Sequence, residues 1–280
     1  MKRRILLPTD FSDNAQNAID YAINLYANDT CDFYILNTYY IEEFSMELAA
    51  VRDLEAFEQK SISGLSLIFK KLLNAENSKQ HQYHMVSECG ALIDIMKDII
   101  EKHDIDIVIM GTKGDTDSRS QIYGSQTVLA MERIRNCPVL AIPKQANFKG
   151  IQNIIFPTGY NTPYKRREFD CLIDIANKTG AAIRVLNVLD ESKELNQNQL
   201  KNQNLLKDYF EELDCSFHVL HDTELLSAIN SYILKQNIDM VAFINKRHNF
   251  FSWIISKPMV KNLTYHTTIP ILALHDLKNK

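Results

Sequence analysis

The sequence predicts an α/β protein in which one open parallel sheet, covered by helices on both faces, is built twice. Three observations carry that prediction. Apolar runs of strand length alternate with longer segments of helical period, and such alternation makes a parallel sheet buried on both sides. A short apolar run over residues 107–110 breaks at Gly111 into a loop carrying Gly114 and Gly124, followed by a hydroxyl-rich helix start. After a polar stretch at residues 144–150 the order of elements begins again.

The elements of the first half follow in turn. Residues 4–8 read as a buried strand, and Thr9, Asp10, Phe11 and Ser12 make the turn after it. Asp10 or Ser12 can cap the next helix, whose apolar positions Ala15, Ala18, Ile19, Ala22, Ile23 and Tyr26 keep helical spacing. Residues 31–38 form the second strand. A long helical stretch runs over residues 42–74, with Leu54, Phe57, Ile62, Leu65, Ile68, Phe69 and Leu72 on its apolar face and a weak middle at residues 61–64. Residues 82–86 alternate as a third strand, and residues 91–103 are helical with Leu92, Ile95, Met96, Ile99 and Ile100 inward. The fourth strand, the glycine loop and a helix to about residue 135 precede a fifth strand at 139–142, entered through Pro138.

The second half restates this order. Residues 154–159 answer 6–10, and 182–188 answer 31–38. A shorter helix covers 195–213, residues 217–220 answer 83–86, and a helix covers 225–236. Residues 238–243 answer 105–110, and 269–274 answer 137–142. The period is a whole domain rather than a short solenoid repeat, which gives domains 1–145 and 146–280.

Bulk composition sets outer bounds. With 280 residues, 45% hydrophobic and 24% charged, the chain has the make-up of ordinary globular domains. A net charge of −4 gives no support for nucleic-acid binding. No apolar run approaches the roughly 20 residues that span a bilayer, and residues 5–8 are too short for a signal-peptide core, so the expected location is cytoplasmic. The five cysteines include no CxxC pair and read as structural thiols.

The glycine stretch has the chemistry of an anion cradle. Ligands of open α/β sheets sit at the carboxyl ends of strands. Glycine lets the backbone approach a ligand, and the unpaired N–H groups at a helix start favour phosphate. Ser125 and Thr127 add hydroxyls. A plain turn with packing glycines fits the same residues. Neither GxxxxGK[ST] nor GxGxxG is present.

Three features together resemble the universal stress protein family in its tandem two-domain form. They are residues 5–12 (ILLPTDFS), the spacing Gly111-x2-Gly114-x9-Gly124-Ser125, and residues 137–143 (CPVLAIP). The resemblance implies a five-stranded sheet per domain, of the adenine nucleotide alpha hydrolase-like type. It implies pairing of the two domains through their last strands, and association of two chains as a homodimer. It also implies an ATP site in the first half, with or without Mg²⁺. Asp10 would contact adenosine, Pro8 and Thr9 would shape that wall, and Thr38 would lie on the adenine side. Met110, Gly111, Lys113 and Gly114 would line the ribose and phosphate path, and Gly124, Ser125, Gln126 and Thr127 would hold the phosphates.

The second half departs from that pattern. Gly159 stands for Asp10, Asn245 and His248 for Gly111 and Gly114, and Pro258-Met259 for Gly124-Ser125. Proline removes an N–H that would face phosphate, so no ATP site is expected there. Lys246, Arg247 and His248 read as a solvated basic loop or an anion-attracting one, and Phe250, Phe251, Trp253 and Ile254 as a surface that packs against the other domain or is an exposed contact surface. Lys165, Arg166 and Arg167 read as a solvated face. His81 with His84, and His218 with His221, lie three apart on strands and point to opposite faces, which does not make a zinc site.

No catalytic set is visible. Asp115, Asp117, Lys113 and Arg119 lie in the glycine loop without a spacing that forces them together. The expectation is therefore a nucleotide-dependent stress-response regulator with an adenine nucleotide as ligand. A nucleotide-independent interaction scaffold and a slow ATPase are the alternatives.

Overall fold

The computed structural model describes residues 2–40, 47–74, 80–112, 125–189, 194–221, 225–245 and 269–275. The chain divides into two compact units, Met1–Asn147 and Phe148–Lys280.

The first unit contains β1 (Arg3–Pro8), α1 (Asp13–Leu25), β2 (Cys31–Tyr39), α2 (Glu47–Leu73), β3 (His81–Cys89), α3 (Leu92–His103), β4 (Ile107–Gly111), α4 (Ser125–Arg133) and β5 (Val139–Ile142). Its strands lie in the order β3-β2-β1-β4-β5, and every neighbouring pair is parallel. β1 is central, and Ile5, Leu6 and Leu7 are fully buried because helices cover both faces. Each such side chain contributes about 1.5–3 kcal/mol by leaving water. Ser12 starts α1 by accepting a hydrogen bond from the Ala15 N–H at 3.2 Å.

β4 begins at Ile107, and Asp106 acts as a clasp before it. The Arg4 N–H donates to Asp106 Oδ2 at 2.8 Å, and the Asp106 N–H donates to the Arg4 carbonyl at 2.8 Å.

α2 keeps the continuity of the sequence reading and departs from it in its buried stripe. It runs unbroken through residues 61–64. Phe57 and Ile62 are exposed rather than inward, and the buried stripe narrows to Ser61, Leu65, Ile68 and Leu72. Length bears on Phe57. A helix of 27 residues is about 40 Å long, whereas the nine residues of β2 span about 30 Å. Phe57 falls within residues 55–60, which are exposed on every side.

The second unit contains β6 (Asn153–Pro157), a 3-10 turn (Arg166–Phe169), α5 (Asp170–Thr179), β7 (Ala182–Leu189), α6 (Gln197–Tyr209), β8 (Cys215–His221), α7 (Leu225–Lys235), β9 (Met240–Asn245) and β10 (Ile271–His275). Its strand order is β8-β7-β6-β9-β10, again parallel. Asp239 repeats the clasp, accepting from the Gln152 and Asn153 N–H groups at 2.8 and 3.0 Å. Phe156, Tyr164, Phe169 and Phe210 form an edge-on aromatic cluster in its core. Arg166 pairs with Asp170 at 3.3 Å on an exposed face. Lys246, Arg247, His248, Phe250, Phe251, Trp253, Ile254, Pro258 and Met259 lie outside the described residues.

Candidate functional site

Sheet order locates the crevice of the first unit. From β1 the chain crosses to β2 on one side, while β4 pairs with β1 on the other. The direction of winding reverses between β1 and β4, and ligands of open α/β sheets enter beyond the strand ends at such a point.

The turn leaving β1 is held from within. The Thr9 N–H donates to the Leu36 carbonyl at 2.8 Å. Thr9 Oγ1 accepts from the Phe11 N–H at 3.0 Å, and Asp10 Oδ1 accepts from the Ser12 N–H at 3.0 Å. Asn37, on β2, reaches across so that Nδ2 donates to the Thr9 carbonyl at 2.7 Å. Asp10 is exposed and Thr9 is buried. Phe11 takes a left-handed φ of +67°. Pro8 closes β1, and Thr38, half-buried, lies one residue beyond Asn37 in register with Glu88.

The facing wall is the end of β4. Met110 is buried, and a Cβ placed on Gly111 would stand 2.9 Å from Asn14 Nδ2 and 3.0 Å from the Asn14 carbonyl oxygen. Gly111 is thus needed for α1 to approach the sheet, whatever else it does. α4 begins at Ser125, and its first turn carries no acidic residue to oppose an anion. Thr127 is buried, and its hydroxyl donates to the Gly111 carbonyl at 2.7 Å. That bond fixes the helix start against the strand end and gives Thr127 a positioning task. Gln126 is exposed. Lys113, Gly114 and Gly124 lie outside the described residues, as do Asp115, Asp117 and Arg119, and the Ser125 side chain is not described.

The second unit repeats the turn and closes it. The Thr158 N–H donates to the Leu186 carbonyl at 2.8 Å, Thr158 Oγ1 accepts from the Tyr160 N–H at 3.0 Å, and Asn187 Nδ2 donates to the Thr158 carbonyl at 2.6 Å. Tyr160 is left-handed at φ +53°. Here α6 covers the turn. Gln199 Nε2 donates to the Gly159 carbonyl at 2.8 Å, and Asn202 Nδ2 to the Tyr160 carbonyl at 2.7 Å. The Tyr164 and Thr158 hydroxyls share a hydrogen bond, and burial pushes the Tyr164 phenol up to about 12.

Sequence reasoning missed Asn37, Asn187 and the two left-handed aromatics. The pair Leu-Asn at residues 36–37 and again at 186–187 was the available signal. A separate cavity of about 460 Å³ lies beside β3 and α3, lined in part by Tyr34, His84, Val86, Ile95 and His103, on the far side of β2 from the crevice. Among the described residues, no cluster of three or more His, Cys, Asp or Glu side chains could hold a metal ion, and no helix is long and apolar enough to cross a membrane.

The fold and this crevice define a class: open, doubly wound α/β units in tandem, with a helix start facing the switch point. The chain belongs to the universal stress protein family, in its tandem form, and the family model matches residues 1–143. Among solved structures, a universal stress protein from Archaeoglobus fulgidus DSM 4304 is 12% identical at a TM-score of 0.69, covering 97% of this chain and 98% of its own. A putative universal stress protein from Pseudomonas aeruginosa UCBPP-PA14 is 12% identical at 0.55, over 98% and 93%. The cytoplasmic domain of a prokaryotic cation chloride cotransporter is 10% identical at 0.52, over 100% and 98%. These likenesses are of fold. No curated protein sequence matches the chain.

Proposed function

We propose that the protein binds an adenine nucleotide, ATP or a relative of it, in the crevice between β1 and β4 of the first unit, and acts as a nucleotide-dependent regulator. One observation carries the reading. The turn bearing Asp10 and the start of α4 flank the same switch point, each latched by a side-chain hydrogen bond, Asn37 to Thr9 and Thr127 to Gly111.

The residues present fit such a ligand. Pro8, Thr9 and Asp10 make the adenosine wall, with Thr38 on the adenine side. Met110, Gly111, Lys113 and Gly114 form the path to the phosphates. Gly124, Ser125, Gln126 and Thr127 meet the phosphates through the N–H groups that open α4, which have no partner within the helix. Asp10 is the one exposed carboxylate of the described turn, so Mg²⁺ would arrive with the phosphates rather than in a protein cage.

Calorimetry of the intact protein with ATP and Mg²⁺, and with AMP, tests the reading, alongside mass spectrometry of whatever copurifies. Binding lost on replacing Gly114 or Gly124 with a bulky residue supports it. Pure protein that takes up no adenine nucleotide, having retained none, sinks it. Gly111 is unsuited to this test because α1 packs on it.

The second unit favours a second reading, a nucleotide-independent scaffold. There the carbonyls of the corresponding turn are taken by Gln199 and Asn202. A partner captured equally by the wild type and a Gly124 variant would support it.

A further inference from the structure

Phe11, beside Asp10, does more than the turn requires. Its φ of +67° is a conformation that disfavours any residue with a Cβ. Its ring reaches α2. A Cβ built on Gly64 would stand 2.5 Å from Phe11 Cζ, 2.6 Å from Cε1 and 2.9 Å from Cε2. The ring tip therefore occupies the place where a side chain at Gly64 would begin. Glycine weakens a helix interior relative to alanine, yet α2 continues through this position. The missing Cβ is the seat for the ring.

The second unit keeps the contact in another form. Tyr160 is left-handed like Phe11, and the helix after the second strand holds it by Asn202 donating to its carbonyl. In both units an αL aromatic residue ties the first turn to the helix that covers it. The first unit does so with a ring on bare backbone. The second uses hydrogen bonds.

We infer that Phe11 and Gly64 are positioning residues of the proposed nucleotide site. The ring seated on Gly64 fixes the turn that presents Asp10, and a ligand engaging Asp10 is registered by α2 through the same contact. This rests on the nucleotide reading above. Thr9 and Asn37 anchor the turn from the sheet side. The Phe11–Gly64 seat anchors it from the helix side, so loss of the seat frees Asp10 without unfolding β1 or β2.

A double-mutant cycle tests it, with Gly64→Ala, Phe11→Gly and the pair together in the full chain. Glycine at position 11 accepts the positive φ without strain, and alanine at 64 improves helix propensity, so neither change is a simple fold-breaker. Calorimetry reads the Kd for ATP and for AMP. Hydrogen exchange without ligand reads the 9–12 turn and α2. Each single variant is expected to weaken binding about tenfold, with the double variant no weaker than either, the non-additivity of residues in contact. Exchange of both segments should rise in each single variant. Wild-type affinity in Gly64→Ala, or additive losses, overturns the inference while leaving the nucleotide reading intact. A wild type that binds no nucleotide overturns that reading instead. In that case the link from turn to α2 is judged by exchange alone, and unchanged exchange in Gly64→Ala rejects it.

Discussion

Replacing Asn37 by aspartate isolates the latch behind Asp10. Asn37 Nδ2 donates to the Thr9 carbonyl at 2.7 Å, and the side chain is buried. Aspartate keeps the shape and removes the donor. A carboxylate oxygen would then face a carbonyl oxygen at hydrogen-bond distance. Leaving that buried acceptor without its donor costs about 1–3 kcal/mol, and burying the charge adds to it. The carboxyl escapes by holding a proton, because its neutral form can donate to Thr9. Its folded pKa is therefore raised above the unfolded value. The penalty is absent below the unfolded pKa of about 4 and grows as pH rises through the folded value. Hydrogen-exchange mass spectrometry reads the two units separately. Asn37→Asp should lose protection across β1 and β2 at pH 7.5 and recover part of it at pH 5, with weaker nucleotide binding at the higher pH. Asn187→Asp, whose bond to Thr158 is 2.6 Å, should lose at least as much in the second unit without touching nucleotide affinity. Protection in Asn37→Asp equal to wild type at pH 7.5 would refute the latch.

Thr127→Val, which leaves the Gly111 carbonyl without the hydroxyl's proton, should cost about 1–2 kcal/mol, seen as faster exchange in α4, while Thr127→Ser retains most of the protection. Burial depresses the His81 pKa, with Asp29 opposing. The unfolded chain then binds a proton that the folded chain refuses, and stability falls as pH drops from about 6.5 through the folded value. His81→Leu should flatten that fall in a denaturant series, though not abolish it, since burial depresses His103 and His218 as well. Iodoacetamide at pH 8 should label exposed Cys89 first and spare buried Cys31 and Cys137. It should also spare Cys215, whose thiol burial pushes up to about 12; rapid labelling of Cys215, read by mass spectrometry, would contradict this.

The sheet was legible because parallel strands buried on both faces leave near-continuous apolar runs. The first seven residues of β2 are all buried, and the periodicity of 31–38 says as much. Duplication gave each strand a second witness. What escaped was chemistry written in single residues. Asn37 reads as an interruption of an apolar run until the Thr9 carbonyl is seen beside it. Gly64 reads as a weak point of a helix, because nothing local announces a ring arriving from residue 11. Phe57 reads as inward because periodicity cannot show that a helix is longer than the sheet beneath it. At the site, Gly111 was recognisable as a special position, but its contact with Asn14 depends on how α1 crosses the strand. The five cysteines read alike as structural thiols, and Cys89, at the end of β3, is exposed.

The clasp between Arg4 and Asp106 joins residues 102 apart in the chain. During synthesis at about 5–20 residues per second, β1 therefore waits roughly 5–20 s for β4. Until then it has β2 on one side and an open ladder on the other, with Ile5, Leu6 and Leu7 along it. A bare, apolar strand edge invites pairing with other chains. The second unit passes through a slightly shorter interval before Asp239 closes on Asn153, 86 residues away. The strand at the centre of each finished sheet is thus the one most in need of shelter on the ribosome, and nascent chains halted between β3 and β4 should be the form that chaperones bind.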